Sequence, residues 1–290
     1  MARRGAGRNR PEALAERRRN AATLGAHPER RVLLPGRREA LQRDATQPRQ
    51  IGVVLPPVIN LFAEPQPGSA VVSQAVLGTL VSILESRRAW TLIETPDRYH
   101  GWSRARALRL LVPGEDLYPA GGGAVDVISL MAQVYRERDV TAAAPFAVAP
   151  LLARLEPVEE ADEWVAVRLP DGRVGWMQHG DVRVRGDVAG AVPDGPDTAA
   201  EPFDPAAVAG TARRFLGLPY VWGGTTPFGL DCSGLAQLVY RVHGHLLPRD
   251  ADLQFADPRL APVERADLAA GDLVFFGPDA ASITHVGISL

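Results

Sequence analysis

A single cysteine, Cys232, stands between Asp231 and Ser233-Gly234 in a chain of 290 residues. With no second cysteine there is no internal disulfide, and its chemistry is that of a free thiol. Downstream, Leu235, Leu238, Val239 and Val242 fall at i, i+3, i+4 and i+7, one face of an amphipathic helix. Upstream, Tyr220-Val221-Trp222 reads as a strand that breaks at Gly223-Gly224. Asp231 is a strong N-cap residue, which puts Cys232 in the first helical turn. The unpaired N–H groups and the positive dipole end of a helix start favour an anion, and reactive cysteines are found in such places. The opposing reading is a small buried core residue, the commoner fate of a lone cysteine. A histidine tips the choice. His285 lies 53 residues further on in a strand-like run, Thr284-His285-Val286-Gly287-Ile288, just after a second such run, Gly271-Asp272-Leu273-Val274-Phe275-Phe276. A thiol nucleophile with an imidazole to move protons is the pair that peptide hydrolysis by cysteine requires.

Five short blocks occur in order: Pro219-Tyr220-Val221-Trp222-Gly223-Gly224, Asp231-Cys232-Ser233-Gly234, Pro248-Arg249-Asp250, the Gly271 run and His285-Val286-Gly287-Ile288. On these blocks residues 204–290 resemble the catalytic domain of the NlpC-type cell-wall cysteine peptidases, an α+β papain-like fold. The resemblance implies Cys232 as nucleophile and His285 as base. It implies that the Tyr220 hydroxyl lies near the oxyanion and that Asp231 and Ser233 flank the substrate, with Asp231 a carboxylate for a free α-amino group. Ala251 departs from relatives that carry a hydroxyl there. The family's orienting residue follows the base on the next strand, which from His285 falls past Leu290. The domain is therefore expected to be C-terminally truncated, and the chain as written to be a fragment of little activity.

These residues need elements to position them. Residues 204–290 open with Asp204 as N-cap and Pro205 at the first helical position, and that helix is expected to run to Gly217. Ahead of it the chain reads as two small all-β units. Trp90 is followed 12 residues later by Trp102, and Trp164 by Trp176 at the same spacing; the two copies are offset by 74 residues. Thr95-Pro96-Asp97 and Pro170-Asp171-Gly172 are the corresponding hairpin turns, so the units are a duplication. Both resemble bacterial SH3-like barrels, in which the tryptophans fill or cover the cores. The expected organisation is a disordered Arg-rich tail (1–50), a first barrel (51–113), a connector (114–123), a second barrel (124–186), a linker (187–203) and the catalytic domain (204–290). A flexible connector has no need of an aromatic, so Tyr118 is expected to dock against something.

Two barrels ahead of an NlpC-type domain resemble the murein-peptide recycling endopeptidases, which cut the γ-D-glutamyl–diamino acid bond of peptides with a free N-terminal L-Ala. In that subfamily an acid and a tyrosine of the first barrel help to close the substrate site, and the resemblance points to Glu85 and Tyr118. The rivals are a secreted hydrolase acting on intact wall and a non-catalytic wall-binding protein with a decayed domain. Net charge is −2; residues 1–50 contribute +8, so the remainder carries −10. An acidic body disfavours nucleic acid as a partner. The apolar runs fall well short of the roughly 18 residues of a membrane helix. No His/Cys/Asp cluster has zinc-site spacing, so no metal or cofactor is expected. The basic start lacks the apolar stretch of a secretory signal, which points to the cytoplasm, and a monomer is expected.

Overall fold

The computed structural model describes residues 50–121, 123–186 and 203–290. The expectations of a disordered tail, for all but Gln50, and of a linker, for all but Phe203, lie outside the described residues.

The first β unit comprises β1 (Ile51–Val54), β2 (Val58–Phe62), β3 (Val71–Val76), β4 (Leu80–Arg87), β5 (Trp90–Glu94), β6 (His100–Arg104) and β7 (Leu108–Leu110). They form one antiparallel sheet in the order β3-β2-β6-β5-β4-β1-β7. Val54, Leu61, Val81 and Ile93 alternate inward and close its core. The second unit comprises β8 (Ala124–Val127), β9 (Met131–Val134), β10 (Ala147–Pro150), β11 (Arg154–Ala161), β12 (Trp164–Arg168), β13 (Val174–Gln178) and β14 (Val182–Arg185). Five of these pair as β13-β12-β11-β8-β14, with β9 and β10 as a separate hairpin.

The duplication extends to the pairing register. Leu92 faces Trp102 in the first unit and Ala166 faces Trp176 in the second. Even the irregularity recurs: the register shifts between Ile83 and Glu85 in β4 and between Pro157 and Glu159 in β11. A β-bulge re-aims the side chains beyond it, and the same bulge at the same offset gives both hairpins the same bend. Trp90 and Trp102 are buried, with Phe62 edge-on to Trp90 and the Arg104 guanidinium 3.9 Å from the Trp90 ring centre.

Tyr118 joins the two units. It is 4 % exposed and packs on Val53 and Leu111 of the first. Its hydroxyl donates to the Arg168 carbonyl (2.6 Å) and accepts from the Glu156 N–H (3.3 Å) of the second. Burial, ahead of its polar neighbours, pushes the phenol up from its ordinary value, so it stays a donor.

The C-terminal region contains α1 (Pro205–Arg213), β15 (Thr225–Thr226), β16 (Gly229–Leu230), α2 (Cys232–Val242), α3 (Ala251–Phe255), β17 (Leu273–Phe276) and β18 (His285–Ile288). Asp204 caps α1 by accepting from Ala206 N (2.9 Å) and Ala207 N (3.1 Å). α1 ends at Arg213, short of Gly217; tighter turns carry the chain on, and Gly217 closes them with φ +88°. Tyr220-Val221-Trp222 is not a strand. Tyr220 makes one isolated bridge to Leu230, and the chain turns back as Gly224 N–H bonds the Val221 carbonyl (2.9 Å). β-Propensity is a statement about half-buried surface, whereas Tyr220 and Trp222 are largely exposed.

His243, the C-cap of α2, bonds the Thr211 hydroxyl of α1 at 2.9 Å. Burial, then the neighbouring His245, holds its pKa below the ordinary imidazole value. A depressed folded-state pKa means that the unfolded chain takes the proton more readily. The stability is complete above the ordinary value and lost as pH falls through the depressed one. Amide protection factors in α1 are expected to fall between about pH 7 and about pH 5, and His243→Gln to remove that dependence. Equal protection at both pH values would show that the contact carries no such linkage.

Candidate active site

Cys232 begins α2, and the reason is local. Asp231 has extended backbone angles and accepts from Gly234 N (2.7 Å), so it caps the helix with Cys232 as the first helical residue. The glycines on either side serve the same junction. A Cβ on Gly234 would collide with the Gly224 carbonyl oxygen, which accepts from Asp231 N at 3.0 Å. Gly223 has φ +78°, and a Cβ there would lie 2.8 Å from the Val71 carbonyl oxygen of β3. The turn before the nucleophile is thus pressed between α2 and the first barrel.

β18 packs on α2 through a shared cluster that includes Val239, Val286 and Ile288, with Cys232 at its margin. The helix that starts at Cys232 and the strand that starts at His285 are therefore neighbours. His285 is exposed and pairs with Phe276 of β17, the two rings 5.8 Å apart.

Tyr220 lies against the nucleophile. Most of the residue is exposed (61 %), while its hydroxyl end is drawn in beside Cys232 and Asp231. Desolvation first, then the Cys232 and Asp231 charges, pushes the phenol up to about 12. It is a hydrogen-bond donor throughout the ordinary pH range.

Asp231 and Ser233 face inward. Asp231 Oδ1 accepts from Gly234 N (2.7 Å) and Arg249 Nη1 (3.1 Å), and Oδ2 accepts from Gly223 N (3.0 Å) and Arg249 Nη2 (2.6 Å). Ser233 Oγ accepts from Arg249 Nη1 (2.9 Å) and donates to Asp231 Oδ1 (3.4 Å). Both residues are buried. A carboxylate has about four lone-pair sites, and these are filled from within the protein. The expected substrate amine contact at Asp231 is therefore corrected to a structural cap, and Ser233 joins it as support. Arg249, 3 % exposed, is the residue that sequence reasoning quoted without a role. Burial alone would lower its pKa, but the Asp231 carboxylate holds it above the ordinary value, so the guanidinium stays charged.

Tyr118 is likewise corrected: it is enclosed between the barrels and presents no surface to a substrate. Glu85 ion-pairs with Arg87 on its own strand, and Arg87 in turn stacks over Trp102. The first barrel meets the catalytic region through its β5–β6 turn and β3 instead. The Tyr99 hydroxyl donates to the Asp250 carboxylate (3.3 Å), and Gln237 of α2 donates to Asp97 (2.9 Å). Gln74 accepts from Thr225 N (3.0 Å) and the Thr226 hydroxyl (3.1 Å). In the sequence Thr95-Pro96-Asp97 reads only as a hairpin turn, and nothing in it marks this contact.

A cysteine at a helix start, with a histidine at the start of the strand packed on that helix, thus stands behind two β units. Residues 217–290 match the NlpC/P60 family, and residues 61–108 match the bacterial dipeptidyl-peptidase Sh3 domain. The chain thus carries an NlpC/P60 domain behind an SH3 domain of that type. It is 36 % identical over 124 residues to a gamma-D-glutamyl-L-lysine dipeptidyl-peptidase of Bacillus cereus, covering 42 % of this chain and 34 % of that protein. It is 42 % identical over 80 residues to the Bacillus subtilis protein of the same name, covering 27 % and 26 %. These matches span about a third or less of those relatives' lengths. Over a longer stretch it is 25 % identical to dipeptidyl-peptidase 6 of Lysinibacillus sphaericus, covering 77 % of this chain and 80 % of that one. The crystal structure of an NlpC/P60 family protein from Bacillus cereus shares the fold, with TM-score 0.68 and 22 % identity over 83 % of this chain and 88 % of that one.

Proposed function

We propose that this protein is a cysteine peptidase that hydrolyses the γ-D-glutamyl–diamino acid bond of peptidoglycan-derived peptides with a free N-terminal L-Ala. The observation that carries the reading is the docking of a dipeptidyl-peptidase-type barrel against the support of Cys232, through Tyr99 on Asp250 and Gln74 on Thr225 and Thr226. A barrel built into the catalytic region suits small peptides better than a barrel that grips polymer from a distance. The names of the Bacillus relatives point the same way.

His285 takes the thiol proton of Cys232, and the sulfur attacks the scissile carbonyl, whose C=O π electrons move onto oxygen. Tyr220 donates to that oxyanion. As the tetrahedral species collapses, the C–N bond breaks and His285 gives its proton to the leaving amine. A water, deprotonated by His285, then attacks the thioester, the C–S bond breaks and the thiol is regenerated. Glu85 and Asp250 are the carboxylates we assign to the amine end of the substrate. A monomer in the cytoplasm fits a role in peptide recycling, and cell fractionation with sizing of the native protein tests both points.

Acetylating the amine of L-Ala-γ-D-Glu-diamino acid peptides is expected to lower kcat/KM by about tenfold to a hundredfold. This is the cost of leaving a charged hydrogen bond unmade, roughly 1–3 kcal/mol. Glu85→Gln or Asp250→Asn should shrink that discrimination. Equal rates on free and acetylated peptides, with turnover of intact wall, would favour the wall hydrolase instead. One relative, a bifunctional muramidase/DL-endopeptidase of Bacillus subtilis, 36 % identical over 129 residues, keeps that second reading in view.

A further inference from the structure

We propose that Arg249 is a positioning residue for Cys232, and that the first barrel completes its setting through Ser73. The inference rests on the reading of Cys232 as the nucleophile, but its test needs no substrate.

A guanidinium is always charged and is costly to bury without partners. Arg249 is 3 % exposed, and its bonds go to three residues. Nη1 and Nη2 grip both oxygens of Asp231 (3.1 and 2.6 Å), Nη1 also reaches Ser233 Oγ (2.9 Å), and Nε donates to Ser73 Oγ of β3 (3.3 Å). Asp231 and Ser233 are the chain neighbours of Cys232 on its two sides. One fork therefore holds the residue before the nucleophile and the residue after it. Through Asp231 it also fixes Gly223 N and Gly234 N, in the turn below the helix and at the third residue of the helix itself. The backbone on either side of Cys232 is therefore tied to one guanidinium.

Ser73 places part of this support on another domain. It is 2 % exposed, and its neighbours on β3 hold the same turn: Gln74 bonds Thr225 and Thr226, and the Val71 backbone lies where a Gly223 side chain would be. The barrel is thus a wall of the nucleophile's socket as well as a candidate wall of the substrate cleft.

The test is the rate at which iodoacetamide alkylates Cys232 in the whole chain, followed across pH and read by mass. Arg249→Met and Arg249→Lys should both slow alkylation near neutrality, the Met variant by about tenfold or more, and displace the pH–rate profile upward. Lysine keeps the charge without the planar fork, so it should rescue part of the loss. Ser73→Ala should move the profile in the same direction by less. Thermal unfolding is measured alongside. Should Arg249→Met fail to fold, Arg249→Lys and Ser73→Ala decide. A lower Tm in those two with an unmoved alkylation profile would show that Arg249 is only a structural ion pair, and overturns the proposal. A protein that leaves γ-D-glutamyl peptides uncut yet shows the displaced profile refutes the assigned substrate and leaves this inference standing.

Discussion

Cys232→Ala is expected to abolish peptide hydrolysis, and His285→Ala to lower kcat by about 10⁴-fold or more. The two residues act as a unit. Without the thiol there is no acyl-enzyme, and without the imidazole the thiol loses its proton acceptor and the leaving amine its donor. The double variant should therefore be no worse than the single Cys232 variant, because effects within such a unit are far from additive. Iodoacetamide should inactivate the wild type one-for-one with alkylation of Cys232, the sole cysteine. EDTA should leave the rate unchanged, because every step assigned here is carried by side chains. The measurement is single-turnover cleavage of L-Ala-γ-D-Glu-diamino acid peptide, with circular dichroism to show that the variants are folded. Chelator-sensitive hydrolysis that survives in Cys232→Ala would sink the assignment.

The parts of the fold that repeat or alternate were legible in the sequence. The 74-residue offset of the tryptophan pairs announced two barrels, and the structure repeats that offset down to the bulge in β4 and β11. The N-cap at Asp231 and the apolar stripe of α2 were legible because capping and helical period are local properties. What the sequence did not show is how the barrels meet the rest. Ser73, Gln74, Asp97 and Tyr99 look like ordinary strand and turn residues, and their partners lie 140 or more positions away. Tyr118 illustrates the limit from the other side. Its isolation in a Gly/Pro-rich connector correctly demanded a docking place, but composition does not say which one, and the barrel–barrel seam took it. Asp231 was read as having one oxygen to spare. Only the buried Arg249, 18 residues along the chain, reveals that both are in use.

Tyr220→Phe is expected to lower kcat by about 10²–10³-fold with little change in KM, the signature of a donor that matters chiefly to the transition state. The argument starts from position. The Pro219–Gly224 turn holds the ring at the surface while its hydroxyl end meets Cys232 and Asp231. Desolvation and those two neighbours push the phenol up to about 12, so at working pH it offers a proton and does not take one. A neutral donor next to the attacking sulfur is placed to bond the carbonyl oxygen as it gains charge, and phenylalanine keeps the ring but removes that bond. The phenol should also add no alkaline limb to the pH–rate profile below about pH 12, so any limb seen at lower pH should persist in the Phe variant. Steady-state kinetics on the free-amine peptide, wild type against Tyr220→Phe, separates the possibilities. A rise in KM at constant kcat would move Tyr220 from the oxyanion to ordinary substrate binding. An unchanged kcat/KM would show that the backbone N–H groups at the start of α2 stabilise the oxyanion without it.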